Sequence, residues 1–180
     1  MATGDSGASA ADRIAALTVD VPDFPQPGIV FKDLTPLFSD GPAFAATIDL
    51  IRNRYADGFD TVAGIEARGF MIGAAVAYAS GVGFVPIRKA GKLPREAFSE
   101  TYALEYGQAT IEVHTDAFTP GQRVLLIDDV LATGGTAEAA WNLIERAGAV
   151  VTGFTVLMEL GFLEGRKRLG TREVHALLRV

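Results

Sequence analysis

Two adjacent carboxylates, Asp128 and Asp129, follow the apolar run Val124-Leu125-Leu126-Ile127 and precede a small, glycine-rich stretch, Ala132-Thr133-Gly134-Gly135-Thr136. Ionised carboxylates accept hydrogen bonds from vicinal hydroxyls or give oxygens to a hard divalent cation. Small residues opening a helix leave backbone N–H groups free for an anion, and the helix dipole favours negative charge there. A diol beside a phosphate answers both requirements, so residues 124–136 read as a sugar-phosphate site. The apolar run is too short for a surface helix and reads as a strand buried on both faces of a parallel sheet. Ligands of such sheets bind at the carboxyl edge, where Asp128 and Asp129 are expected to end the strand on opposite faces and reach different parts of one ligand.

Three other readings of the stretch compete. A nucleotide P-loop needs a Lys after its second Gly, and none follows Gly134 or Gly135. A dinucleotide turn needs Gly-x-Gly-x-x-Gly directly after a strand; Gly81-Val82-Gly83 has Pro86 in the third place and precedes its strand. A lone Asp could simply cap a helix. Two carboxylates ending a buried strand are harder to explain that way, because unpaired buried charge is costly.

The elements that must present these groups follow from periodicity. Residues 12–19 carry Ile14 and Leu17 at helical spacing, and Pro22, Pro25, Pro27 and Gly28 forbid regular structure up to Ile29. Asp40 is an N-cap with Pro42 in the first turn, and Phe44, Ile48, Ile51 and Tyr55 recur at i, i+4, i+7 and i+11. Strands are expected at 60–65, 83–88, 122–128 and 150–160, a small-residue helix at 70–80, and a helix at 136–147 stopped by Gly148, with a closing strand within 166–180. Such alternation gives an α/β fold, a mostly parallel twisted sheet flanked by helices. Residues 89–110 break the pattern with Gly91, Pro94 and Gly107 and read as a lid, in which 102–105 and 110–113 could pair. Residues 1–9, mostly Gly, Ser and Ala, are expected to be disordered, leaving one domain over 10–180.

Composition narrows the classes. No cysteine is present among 180 residues, which excludes disulfides and Cys-based zinc sites. No apolar stretch reaches 18 residues and the N-terminus lacks the features of a signal peptide, so a cytoplasmic protein without a membrane partner is expected. A net charge of -6 argues against nucleic-acid binding. One local exception stands out: from Arg68 to Arg95 there are basic residues at 68, 88, 89, 92 and 95 and no Asp or Glu, in glycine- and proline-bearing loops suited to an anion. His114 and His175 have no metal-ligand spacing and read as ordinary surface or strand residues.

Residues 124–136 resemble the phosphoribosyl pyrophosphate motif of the type I phosphoribosyltransferases. Further segments resemble the adenine-specific branch: Phe24-Pro-Gln-Pro-Gly-Ile-Val-Phe-Lys-Asp33, Glu66-Ala-Arg-Gly-Phe70, Arg88-Lys-Ala-Gly-Lys-Leu-Pro94 and Tyr102-Ala-Leu-Glu-Tyr-Gly107, which together span most of residues 23–165. The resemblance implies an N-terminal base-binding hood, a flexible lid, Mg2+ carried with the pyrophosphate, and a homodimer. It implies transfer of a phosphoribosyl group to adenine, a step of purine salvage. By that resemblance the sugar phosphate would lie on Ala67, Arg68, Arg88, Lys89, Lys92, Asp128, Asp129, Ala132, Thr133, Gly134, Gly135 and Thr136. Adenine would stack on Phe31, with the backbone of Val30 and Lys32 reading its amino edge and Leu160 over the other face. Glu105 matches a glutamate placed near the purine imidazole ring; with Arg68, Asp128 and Asp129 it completes the candidate catalytic set, and no direct protein ligand to the metal is expected. Many relatives carry Arg where Lys32 stands, which matters if the side chain acts and little if only the backbone does.

Two rivals remain. Transfer to a 6-oxopurine would use the same phosphate motif with a donor to the carbonyl, but residues 25–31 favour adenine. A ligand-sensing regulator would need a helix-turn-helix or a basic face, for which this chain has neither the room nor the charge.

Overall fold

A seven-stranded sheet forms because the most apolar segments of the chain are short, buried on both faces and joined by helices. The computed structural model describes residues 9–56, 58–103 and 107–180. In chain order the elements are α1 (Ala10–Ala16), β1 (Val19–Pro22), β2 (Val30–Asp33), α2 (Thr35–Ser39), α3 (Gly41–Arg54), β3 (Thr61–Ile65), α4 (Arg68–Ser80) and β4 (Gly83–Lys89). They continue with β5 (Ala97–Ala103), β6 (Gln108–His114), β7 (Arg123–Leu131), α5 (Gly135–Arg146), β8 (Val150–Glu159), a 3-10 turn at Gly161–Leu163, α6 (Gly165–Leu169) and β9 (His175–Arg179). The sheet order is β5-β6-β4-β3-β7-β8-β9; β4, β3, β7, β8 and β9 run parallel, and β5 and β6 add antiparallel strands at one edge.

The chain moves from β3 outward to β4, then returns to the other side of β3 for β7 and proceeds away through β8 and β9. The order therefore reverses between β3 and β7, and a crevice opens there beyond their carboxyl ends. Each face of the sheet has its own core. Val124 and Leu126 pack with Ala140, Leu143 and Ile144 of α5, whereas Leu125 and Ile127 pack with Ile48 and Ile51 of α3 and Ile72 and Val76 of α4. All four β7 residues are fully buried, as expected of a strand covered on both sides. No helix among the described residues is long and apolar enough to cross a membrane.

Several boundaries differ from the sequence reading. Ser9 and Asp12 form a capping box that starts α1 at Ala10, and the helix ends at Ala16, so Val19 begins a strand. Pro22 ends β1 instead of excluding it, because a proline at a strand terminus gives up no ladder bond that the fold needs. The helix expected from Phe70 starts at Arg68, and β7 runs on to Leu131, three residues past Asp128, because β8 still pairs with it through Val130 and Leu131. The lid segment is largely regular: β5 and β6 pair from Ala97↔His114 to Ala103↔Gln108, so Thr110 faces Thr101 and Val113 faces Phe98. Glycine and proline obscured an alternation in which Ile111 and Val113 point into the core. Arg88 and Lys89 belong to β4 and Arg68 to α4, so only Lys92 and Arg95 of the basic run lie in a connection.

α4 lies unusually close to the sheet. A Cβ on Gly64 would stand 2.7 Å from Phe84 Cε2 and 2.8 Å from the Gly69 carbonyl oxygen. Gly64→Ala should therefore push α4 off β3 and destabilise the protein by about 1–3 kcal/mol, the usual range for overpacking; urea unfolding midpoints at an unchanged slope would measure it.

Candidate active site

Beyond Gly64↔Ile127, β3 stops pairing with β7, and Asp128 and Asp129 occupy the part of β7 that runs on alone on that side. The first turn of α4 fills the gap. A Cβ on Gly69 would come within 2.8 Å of the Ile127 carbonyl oxygen and 3.1 Å of Asp128 Oδ1, so only glycine lets Arg68 reach the carboxylates. Arg68 Nε forms an ion pair with Asp129 Oδ2. Asp129 is only 6% exposed, and that same oxygen makes no well-directed hydrogen bond among the described residues. Its charge is compensated by the Arg68 guanidinium alone among the contacts described.

The two carboxylates have different environments. Asp128 Oδ1 accepts the Asp129 backbone N–H at 2.9 Å. Burial, and after it the Asp129 charge, pushes the Asp128 carboxyl well above the usual carboxylate range. Asp128 borders both a cleft of about 490 Å³ and a smaller pocket of about 70 Å³, while Asp129 borders only the former. The cleft is lined also by Glu66, Ala67, Arg68, Lys89, Tyr102 and Thr136, and the small pocket by Ala132, Thr133, Gly134, Gly135 and Thr136.

The small pocket is the turn into α5. Gly134 is the N-cap with φ 84°, and no side chain caps the helix, so its first N–H groups are left for a ligand. The turn is braced from behind: a Cβ on Gly134 would fall 2.5 Å from the Gly165 carbonyl oxygen, and Arg168 of α6 bonds Glu138 Oε2 at 2.6 Å. Residues 166–180 gave no sequence signal for this buttress, since it depends on a contact between segments thirty residues apart.

The structure brings Ala67, Arg68, Lys89, Asp128, Asp129 and residues 132–136 to these two adjoining cavities. Arg88 points elsewhere: its Nε bonds Glu66 Oε2 at 3.3 Å and its Nη1 the Lys92 carbonyl at 3.2 Å. Glu66 also accepts the Lys89 backbone N–H at 2.9 Å, so it fixes this end of β4. Lys92 is exposed and does not line the cleft. Glu105 lies outside the described residues. Glu66 and Tyr102 were missed by sequence reasoning, although both sit inside motifs that had been singled out.

The hood is the antiparallel pair β1–β2. Phe31 packs edge-on against Phe24, centroids 5.2 Å apart, and the Arg68 guanidinium lies 5.0 Å from the Phe31 ring centre. Thr35 hydrogen bonds hold Asp33 below the usual carboxylate range, with a smaller contribution from the Arg68 charge. Arg68 thus links hood and carboxylates. Lys32 Nζ bonds both oxygens of Asp20 across the hairpin at 2.7 and 2.8 Å, so its side chain serves the hood. Val30 is half-exposed opposite Pro22, which has no N–H to offer it. Leu160 is half-buried at the end of β8, with its N–H on the Leu131 carbonyl at 2.9 Å.

Comparison with known proteins agrees with this geometry. A family model described as "Phosphoribosyl transferase domain" matches residues 39–175. An adenine phosphoribosyltransferase of Salinispora tropica is 67% identical over 178 residues, covering 98% of this chain and 95% of its own. The chain belongs to the adenine phosphoribosyltransferase family. Among solved members, the crystal structure from Thermoanaerobacter pseudethanolicus superposes with a TM-score of 0.91 at 46% identity, covering 94% of this chain and 99% of that one. The Saccharomyces cerevisiae enzyme, solved with an imino-altritol bisphosphate and adenine, gives 0.89 at 40% identity, covering 94% and 98%. The fold is that of the family, as the sequence resemblance implied.

Asp128 has a folded pKa raised above its unfolded value, so the folded state holds this proton more tightly and the contribution of Asp128 to stability falls as pH rises from the ordinary carboxylate range. Asp128→Asn should therefore melt at a higher temperature than the parent protein, with the gap widening as pH rises from about 4, the ordinary carboxylate value; thermal melts across a pH series would measure it.

Proposed function

We propose that this chain transfers the 5-phosphoribosyl group of phosphoribosyl pyrophosphate to adenine, forming AMP and pyrophosphate. The observation that carries this reading is the meeting, at two adjoining cavities, of a helix N-terminus with no side-chain cap, two carboxylates and one arginine. The 5-phosphate rests on the amides of Ala132, Thr133, Gly134, Gly135 and Thr136, with the hydroxyls of Thr133 and Thr136 as further donors. Asp129 accepts from a ribose hydroxyl. Asp128, beside it near the end of β7, accepts from the other ribose hydroxyl. Positive charge then gathers at the anomeric carbon as its bond to the pyrophosphate oxygen breaks, and the carboxylates stabilise it. Arg68 moves from Asp129 and Phe31 to the departing pyrophosphate, and Lys89 adds charge from β4. Arg88 and Lys92, turned away in the free protein, reach the pyrophosphate only if this end of β4 rearranges.

The base lies on Phe31, beside Val30 and Lys32, with Leu160 opposite. A bond forms between the purine nitrogen and the anomeric carbon, and the proton of that nitrogen leaves, with Glu105 as its acceptor. The adenine bound to the yeast relative supports this assignment over a 6-oxopurine.

The donor set fits Mg2+ held mainly by substrate. Asp128 and Asp129 line the cleft with hard carboxylate oxygens, the donor type this ion prefers. When bound, the ion supplies charge neutralisation on the pyrophosphate. The protein acts in the cytoplasm as a single domain and as a homodimer, without nucleic-acid or membrane partners. Support for the dimer comes from α4, which carries no charged residue after Arg68 and leaves Met71 46% and Tyr78 90% exposed.

Pyrophosphate release should be seen with adenine and not with hypoxanthine, guanine or no base, and Arg68→Ala should lower kcat/KM by about 100- to 1,000-fold. Release only with an oxopurine would overturn the assignment of the hood. Titration calorimetry should find no tight Mg2+ binding to the free protein and clear binding once phosphoribosyl pyrophosphate is present.

A further inference from the structure

We propose that Tyr102 is a positioning residue that ties occupancy of the phosphate turn to the end of β5. This rests on the reading of residues 132–136 as the 5-phosphate site. Thr136 Oγ1 donates to the Tyr102 hydroxyl at 3.0 Å, across the cleft that both residues line. Behind this bond the packing is tight: a Cβ on Gly135 would stand 3.1 Å from Tyr102 Cδ2 and 3.3 Å from the Ala103 carbonyl oxygen. Farther back, β5 is held to α5 by Glu100, which accepts from Asn142 Nδ2 and Arg146 Nη1 at 3.3 Å each, and by Arg146 over the Phe98 ring. At the cleft, the hydroxyl pair is the polar tie.

A threonine hydroxyl has one proton to give. In the free protein it goes to Tyr102. A phosphate in the turn is the stronger acceptor and takes that proton, leaving the lone pairs of Thr136 to accept from the Tyr102 O–H. The bond between the two side chains survives with its direction reversed, and the phosphate charge polarises both links of the chain. The end of β5 is then held more firmly with phosphate bound than without. Phenylalanine at this position keeps the ring against Gly135 and loses only the relay.

Ribose 5-phosphate is the probe, read by hydrogen exchange and by direct binding. In the parent protein it should slow exchange both at residues 132–137 and at 99–103. In Tyr102→Phe it should protect 132–137 alone and bind about three- to tenfold more weakly, while the KM for phosphoribosyl pyrophosphate rises and that for adenine stays unchanged. Protection at 132–137 without any at 99–103 in the parent protein overturns the proposal and needs no variant. Equal protection of both segments in Tyr102→Phe overturns it as well, and leaves the phosphate site standing. No binding of ribose 5-phosphate by the parent protein overturns the phosphate site itself, and this proposal with it.

Discussion

The first turn of α4 lies against β7 with no space for a side chain at position 69, and this approach brings Arg68 to the buried carboxylate of Asp129. A carboxylate buried without a counter-charge is strongly destabilising, so the pair is what allows β7 to carry its acids past the end of β3. Gly64 beneath the helix and the open ends of β3 and β7 exist to the same effect. Hood, cleft and phosphate turn are all referred to that junction: Arg68 touches Phe31 on one side and Asp129 on the other, and Asp128 joins the cleft to the turn.

Charge in the cleft is only partly compensated by the protein's own groups. Burial and the Asp129 charge push the Asp128 carboxyl well above the usual carboxylate range, Arg68 is divided between an aromatic ring and a carboxylate, and the amides opening α5 have no side-chain cap. Each arrangement is thus satisfied only in part within the protein. Preorganised donors of this kind stabilise developing charge without reorganising at the moment of reaction. Against a net charge of -6, the cleft itself presents Arg68 and Lys89 beside its acids.

Much of this was readable in the chain. The run from Val124 to Ile127, the two acids and the small residues after them announce a buried strand, carboxylates near its end and a helix-opening turn through local patterns only, and α3 with its Asp40 cap is equally local. Local patterns failed where pairing partners decide the outcome. β7 extends to Leu131 because β8 lies beside it, and β5 and β6 form a hairpin because Ile111 and Val113 find a core to enter. Val19 becomes a strand because β2 returns to pair with it.

Residue types and spacing therefore established which groups could bind a sugar phosphate, and the tertiary structure alone decided which of them meet. It placed Arg68 on Asp129 and turned Arg88 toward Glu66; it committed the Lys32 side chain to Asp20 and set α6 behind the phosphate turn. The physical reason is one of range. Turn chemistry and periodicity act over a few residues, whereas ion pairing, burial and close backbone approach join segments dozens of residues apart and appear only once the sheet has its order.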